Sequence, residues 1–466
     1  MLVTILYGPT LDDPFHGDDF VAFTEFKSKG FWEYSRDVFL FEDTNFYWRP
    51  LGSIFHYALY DAFGLDPFAF RVAALAFFLG TLVCIYAFCR GERLGAWTAV
   101  AAALIFGVLP SHVVSVSWVT NTSRLTALFC LMLCLLALQR TRSSRRCVLW
   151  EIAAFVAFVI AVLSDEVTAA LVAVPLLYAA ALVRPGVHFL PAVLRTLAYG
   201  AVVAVIVPLQ FTYTIDDEAR LAQYGFGGHM AESFWVAASQ LALPIAQGAP
   251  LDIYLHRFEP LQWAMGTATL AVLLLFTVTG SRMTRFLAIW CLLAILPFAL
   301  WKPMNISPRY VYLAALPFSI LVAWTGARFG AFIVDLTSKP GWRPLAARIL
   351  AAGIATPLAV VLLLTSWRAV ESRNQAWGGE AAQYGMLRQA LEEWPAPPKG
   401  SRIVIFYGGD WTDFWAPAVA RSVYGDATLQ TVTVRRQRVE APFASQPNDQ
   451  VFYLMGDRLL STTVRR

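Results

Sequence analysis

The sequence predicts a mainly α protein: a polytopic bundle of about 10–11 transmembrane helices, then a small extracytoplasmic α/β domain. Three observations carry this. Hydrophobic residues make up 58% of the 466 and charged residues only 15%, whereas average soluble domains carry roughly 25% charge. That is too little charge to coat the surfaces of two or three soluble domains, so lipid must cover much of the chain. Apolar runs near the ~20 residues that cross a bilayer recur along the sequence. Basic residues fall in every second gap between them.

The runs lie at 68–89, 94–111, 119–138, 148–164, 167–183, 197–213, 261–279, 286–301, 310–327 and 348–366. The shorter ones need tilt or local bilayer thinning. The stretch 232–247 is apolar but holds Pro244, Gln240 and Gln247, which predicts an interfacial or re-entrant segment. The basic gaps hold Arg90 and Arg93, then Arg140, Arg142, Arg145 and Arg146, then Arg184 and Arg195. Arg282 and Arg285 follow, and last Arg328, Lys339, Arg343 and Arg348. The positive-inside rule places all five in the cytoplasm. Chance would not keep five loops in phase. Segment 1–67, the loop from His112 to Arg124, Ser164–Glu166, loop 214–260, Lys302–Arg309 and the tail from about 368 then face outward. These signs put the N-terminus outside, yet residues 1–10 hold nothing to translocate it. Either a first helix is missing or one span is miscounted.

Two domains follow: a membrane domain over 1–367, with its first outer loop at 8–67, and a small domain over 368–466. In the latter, Arg402-Ile-Val-Ile-Phe-Tyr-Gly-Gly and Val451-Phe-Tyr-Leu-Met-Gly read as short buried strands, and Glu380–Trp394 has helical spacing. The net charge of +4 is small and gives no nucleic-acid signal. The six cysteines lie in apolar runs or a basic loop, which argues against a disulfide framework or a Cys-ligated metal.

Several outward segments concentrate chemistry. Leu11-Asp-Asp-Pro-Phe-His-Gly-Asp-Asp-Phe20 puts four carboxylates within eight residues. Carboxylates crowded beside a membrane raise each other's pKa unless a cation holds them. That suits a general base or an oxygen-ligated divalent cation, and equally a solvated acidic loop. Arg49-Pro50 can open an amphipathic interfacial helix over about 50–63, which Gly64 stops. Arg124 stands at a membrane boundary and needs an anionic partner, a carboxylate or a lipid phosphate. Asp165 and Glu166 follow Ser164 between two apolar runs, where acids are often functional but where an ordinary short turn would read the same. Loop 216–229 is polar and glycine-rich, as a mobile lid would be. Arg309 opens a helix with Tyr310, and its planar fork suits phosphate oxygens; Arg309, Tyr310 and Tyr312 equally suit an interfacial lipid anchor.

Together these pieces resemble the GT-C superfamily of membrane glycosyltransferases, most nearly its protein O-mannosyltransferase-like branch. The resemblance rests on Asp18-Asp19, on Arg49-Pro-Leu with Phe63-Gly-Leu-Asp-Pro67, and on Pro110-Ser-His112 with Ser123-Arg-Leu125. It continues through Ser164-Asp-Glu166 and Arg309-Tyr-Val-Tyr-Leu313, in order over roughly residues 10–325. It implies an inverting transfer of a sugar from a polyprenyl-phosphate donor to a protein or glycan acceptor. The site would face the outside of a bacterial cytoplasmic membrane. Asp18 would be the general base and Asp19 its helper. Arg309, with Arg124 second, would bind the donor phosphate, and Arg49, His112, Ser164, Asp165, Glu166 and Tyr310 would lie near the site. Some relatives use a metal and others do not; Asp18, Asp19 and His16 are the residues that leave a divalent cation open. Asp165 departs from the Lys common at that place in the family. A flippase for a lipid-linked saccharide would instead need mid-membrane ionisable groups and an inverted repeat. An assembly subunit would tolerate loss of Asp18.

The topology predicts that a cysteine introduced at Lys27 reacts with an impermeant maleimide in intact cells, and one at Arg145 does not. Labelling at 145 but not at 27 would invert it.

Overall fold

The computed structural model describes residues 2–42, 48–142, 146–183, 189–214, 225–242, 260–300, 308–337, 344–398, 401–407, 415–426, 428–435, 450–455 and 458–463. Parts of the predicted outer loops 214–260 and 302–309, and basic residues Arg145, Arg184, Lys339 and Arg343, lie outside these.

Each predicted apolar run falls on a helix. Five helices are long and apolar enough to cross a membrane: Pro67–Gly91, Val119–Arg140, Cys147–Ser164, Arg282–Ala299 and Arg309–Ile333. A sixth span is broken, with Ala96–Gly107 and Pro110–Ser117 meeting at 52°. Pro110 removes a backbone donor and forces the break. Glu166–Leu182, Val193–Leu209 and Trp263–Thr279 are shorter apolar helices, short as the sequence anticipates. The chain is a mainly α integral membrane protein.

The stretch expected to be interfacial or re-entrant forms an ordinary helix, His229–Ala242, over its described part. Val236, Ala237, Ala238 and Leu241 are buried in it, and it packs against Pro260–Thr279 and Arg282–Ala299. Helix Pro344–Glu392 runs without interruption through the predicted domain boundary at 367/368. Beyond that point Val370, Trp377, Ala381, Tyr384, Leu387 and Leu391 are buried, a three-and-four stripe that glues one helix face to its neighbours.

The C-terminal region forms a four-stranded sheet ordered β2-β1-β3-β4. β1 (Arg402–Tyr407) pairs in parallel with β2 (Gln430–Arg435) and with β3 (Gln450–Met455). β4 (Arg458–Thr463) pairs antiparallel with β3. Ile403, Val404 and Ile405 of β1 are all fully buried, as in a parallel strand covered on both faces. Helix Ala416–Tyr424 connects β1 to β2 and ends at Gly425, whose φ of 66° suits a residue without a Cβ.

Two apolar cores result. The larger lies among the membrane helices. The second joins Phe15, Phe20 and Phe23 of the first outer loop to Tyr384, Leu387, Ile403 and Val419 of the C-terminal region. The two segments predicted to face outward therefore fold on each other. At the opposite end the basic loops meet: Arg142 pairs with Glu92 at 3.0 Å, and Gln139 donates to Glu92 at 2.8 Å.

The amphipathic helix Pro50–Phe63 forms as predicted, with Pro50 at its first turn and Gly64 (φ 62°) at its end. Its close docking depends on Gly52. A Cβ there would lie 2.8 Å from Ser123 Cβ and 3.1 Å from the Ser164 carbonyl. Gly52→Ala gains about 1 kcal/mol of helix propensity, but overpacking costs about 1–3 kcal/mol. Thermal unfolding in detergent is expected to show a lowered Tm; a raised Tm would mean the contact yields easily.

Candidate active site

The predicted outer segments converge on a cavity of about 830 Å³. Its polar wall carries Asp18, Asp19, Arg49, Arg124, Glu166 and Arg309. Its apolar walls come from membrane helices, through Val203, Ile206, Val207, Leu296 and Phe298.

Most of these charges are already matched. Arg49 grips Glu166 with two nitrogens, Nε to Oε2 at 2.5 Å and Nη2 to Oε1 at 2.7 Å. This fork-to-fork geometry is the strongest form of such a pair. Arg124 donates from Nε to Asp165 Oδ2 at 2.7 Å, and Arg49 lies 3.7 Å from Asp165 Oδ1. Asp165 is fully buried. Burial alone would raise it, but the Arg124 and Arg49 cations hold its carboxyl below the usual range. Arg124 thus finds the carboxylate partner its position demanded, which occupies the residue expected to serve as second phosphate ligand.

Asp19 is an organiser. Its Oδ2 accepts from the His16 backbone N–H at 2.9 Å. Its Oδ1 accepts from the Thr120 N–H at 2.9 Å and the Thr120 hydroxyl at 2.6 Å. Burial raises its pKa against these donors. The loop is held from below by Arg71, which donates to the carbonyls of Asp13 at 3.1 Å, Pro14 at 2.7 Å and Ser117 at 2.5 Å.

Two charges remain. Among the described residues nothing hydrogen-bonds or ion-pairs the Asp18 carboxylate, which is half-buried at the start of helix Asp19–Ser28. Burial first, then Asp19, push its pKa up to about 6, against the pull of Arg309, His16 and Arg49. Arg309 has no carboxylate partner among the described residues. Its guanidinium lies over the Trp118 ring at 4.4 Å and donates to the Tyr310 hydroxyl at 3.1 Å, while Nε has no partner. Tyr310 in turn stacks on Phe298 at 4.7 Å.

Other predicted residues fall differently. Ser164 donates to the Ile160 carbonyl at 2.7 Å, and its own carbonyl meets Gly52. His112 is not at the cavity: it is fully buried and packed against Phe106 and Tyr312, with ring centroids at 4.4 and 4.9 Å. The metal set does not converge either. His16 turns its Nε2 to Glu380 at 2.9 Å, and both Asp19 oxygens hold backbone. Among the described residues no three His, Cys, Asp or Glu side chains group to hold an ion. No step below uses one.

Sequence reasoning passed over Trp118 and Thr120, though both lie in the predicted outer loop from His112 to Arg124. It also passed over His56, which lines the cavity from the amphipathic helix. Burial pushes the His56 imidazole down to about 4, so it is neutral at pH 7.

The chain is an integral membrane protein, and its fold is similar to that of solved membrane proteins. It is similar to ArnT from Cupriavidus metallidurans bound to undecaprenyl phosphate, at TM-score 0.50 and 15% identity, over 90% of this chain and 83% of that one. It is also similar to the archaeal oligosaccharyltransferase AglB from Archaeoglobus fulgidus, in complex with an inhibitory peptide and a dolichol-phosphate. That match has TM-score 0.50 and 12% identity over 90% of this chain, which spans 61% of the AglB chain. No family model and no curated protein matches the sequence.

An acid raised to about 6 destabilises the fold when ionised. That cost is absent below the ordinary carboxylate pKa near 4 and complete above about 6; a shift of two units is worth about 3 kcal/mol. Asp18→Asn is therefore expected to raise Tm at about pH 7.5 and to leave it unchanged near pH 4. An equal gain at both would refute the raised pKa.

Proposed function

We propose that this protein is an inverting glycosyltransferase that moves a sugar from a polyprenyl-phosphate donor to an extracytoplasmic hydroxyl-bearing acceptor, a protein or a glycan. The observation that carries the reading is the pair left over when the other charges are matched. Among the described residues Asp18 is an unpartnered acid and Arg309 a cation without a carboxylate, and both line the cavity. The motifs around Arg49, Ser123–Leu125 and Arg309–Leu313 favour an O-mannosyltransferase-like enzyme within the fold.

The chemistry follows from those two groups. The acceptor oxygen attacks the anomeric carbon of the donor sugar while Asp18 takes the hydroxyl proton. The bond from that carbon to the phosphate oxygen breaks, and its electron pair leaves with the polyprenyl phosphate. The carbon passes through an oxocarbenium-like state. Arg309 stabilises the negative charge growing on the phosphate. No general acid is needed, since phosphate leaves readily. Attack opposite the leaving group inverts the configuration. The apolar wall of Val203, Val207 and Leu296 suits an isoprenoid chain, and ArnT and AglB are described with such lipid phosphates. Trp118 and Tyr310 keep the Arg309 fork planar and oriented.

Purified protein given a panel of short-chain polyprenyl-phosphate sugars with acceptor should release polyprenyl phosphate, read by mass spectrometry. Asp18→Asn is expected to lose about 10²–10⁴-fold in rate, and Arg309→Met about 10²–10³-fold. The wild-type rate should climb as pH rises through about 6 and then level. Wild-type turnover by folded Asp18→Asn would remove Asp18 as the base.

A further inference from the structure

One buried hydrogen-bonded pair ties the first outer loop to helix Pro344–Glu392 beside this site. His16 lies two residues before Asp18 and is 2% exposed. Its Nε2 lies 2.9 Å from Glu380 Oε1, on helix Pro344–Glu392. The imidazole stacks on Trp377 of the same helix, with centroids 4.3 Å apart and planes at 15°. Trp118 covers it at 5.1 Å, and Tyr384 touches its edge at 5.4 Å. Trp118 is also the ring that carries Arg309. The backbone N–H of His16 binds Asp19. One side chain therefore touches the base loop, the platform of the phosphate-binding arginine, and the C-terminal helix.

We propose that His16 and Glu380 are positioning residues that lock the Asp18 loop and the Trp118 platform into their working arrangement, so that helix Pro344–Glu392 completes the active site. The proposal rests on the reading of Asp18 as general base.

The surroundings support this. Among the described residues Glu380 is the hydrogen-bond partner of the His16 ring, whose Nδ1 has none. An imidazole held only by stacking would turn about its Cβ and release the loop. The close packing leaves no slack around it. A Cβ at Gly378 would lie 3.0 Å from the Asp13 carboxylate, and one at Gly385 would lie 2.7 Å from the Pro14 ring. The C-terminal helix thus presses along the loop on both sides of the hydrogen-bonded pair. The charged groups around His16 are Glu380 from that helix, Asp18 and Asp19 from its own loop, and Arg309 beyond Trp118.

The test compares kcat and KM of detergent-purified full-length variants, with melting temperature and donor binding as controls for folding. Misplacing a reacting group by about 1 Å costs on the order of 10²-fold. Glu380→Ala is expected to lose about 10–100-fold in kcat with KM nearly unchanged, and Glu380→Gln, which keeps an acceptor for His16, to recover most of it. His16→Gln, which keeps a donor to Glu380, should retain fold and most of kcat, whereas His16→Ala should fall as Glu380→Ala does. Wild-type kcat in folded Glu380→Ala would overturn the proposal. Asp18→Asn run beside them separates the two claims. If it is dead while these variants are normal, only the positioning role fails. If it is active, the base assignment itself fails.

Discussion

Charge at a membrane surface is stable only when it is matched, and the site of this protein is organised by that constraint. Asp165 is fully buried and held by two arginines. A lone carboxylate there would cost several kcal/mol, and removing one member of such a buried pair typically costs about 3–5 kcal/mol. The pairs do more than cancel charge. Arg49 opens the amphipathic helix, Arg124 opens a membrane span, and Asp165 and Glu166 join two others. Pairing them fixes four segments, distant in sequence, at one point. Gly52 allows the approach that makes this possible.

Against that matched background the unmatched groups stand out. Asp18 and Asp19 are chemically alike and adjacent, yet their surroundings separate their roles. Asp19 is used up by three donors: the His16 N–H of its own loop, and the N–H and hydroxyl of Thr120, which join that loop to the segment around Thr120. Asp18 has no such partner, so burial and its neighbour leave it ionising near neutrality, where a base is most effective. Arg309 is excess positive charge held over aromatic faces. Such faces orient a guanidinium without neutralising it, which leaves it available to an anion.

Much of the fold was legible in the sequence because lipid imposes long apolar runs and in-phase basic loops. Pro50 and Gly64 marked the amphipathic helix, and the apolar cores of β1 and β3 marked two strands. β2 and β4 escaped because Gln430-Thr-Val-Thr-Val-Arg435 and Arg458-Leu-Leu-Ser-Thr-Thr463 are short and half polar. The boundary at 367/368 reads as a change in solvent, from lipid to water, and composition cannot tell that from a break in the helix. The site was legible as a set of residue types near the membrane surface. Its wiring was not. Asp19 meets Thr120 across 101 residues and His16 meets Glu380 across 364, so no local pattern signals either contact. His112 shows the reverse error: it stands in a quoted motif, but its neighbours Phe106 and Tyr312 enclose it in the apolar core.

Among the described residues Arg309 is the cavity cation without a carboxylate, and so the one open to a phosphate. The decisive measurement is an experimental structure of the protein with a polyprenyl phosphate bound. The phosphate is expected at ion-pair distance from Arg309, its lipid tail along Val203 and Leu296, and the Arg49–Glu166 and Arg124–Asp165 pairs intact. A phosphate bound by Arg49 or Arg124 with either pair broken, or bound away from Arg309, would contradict that assignment.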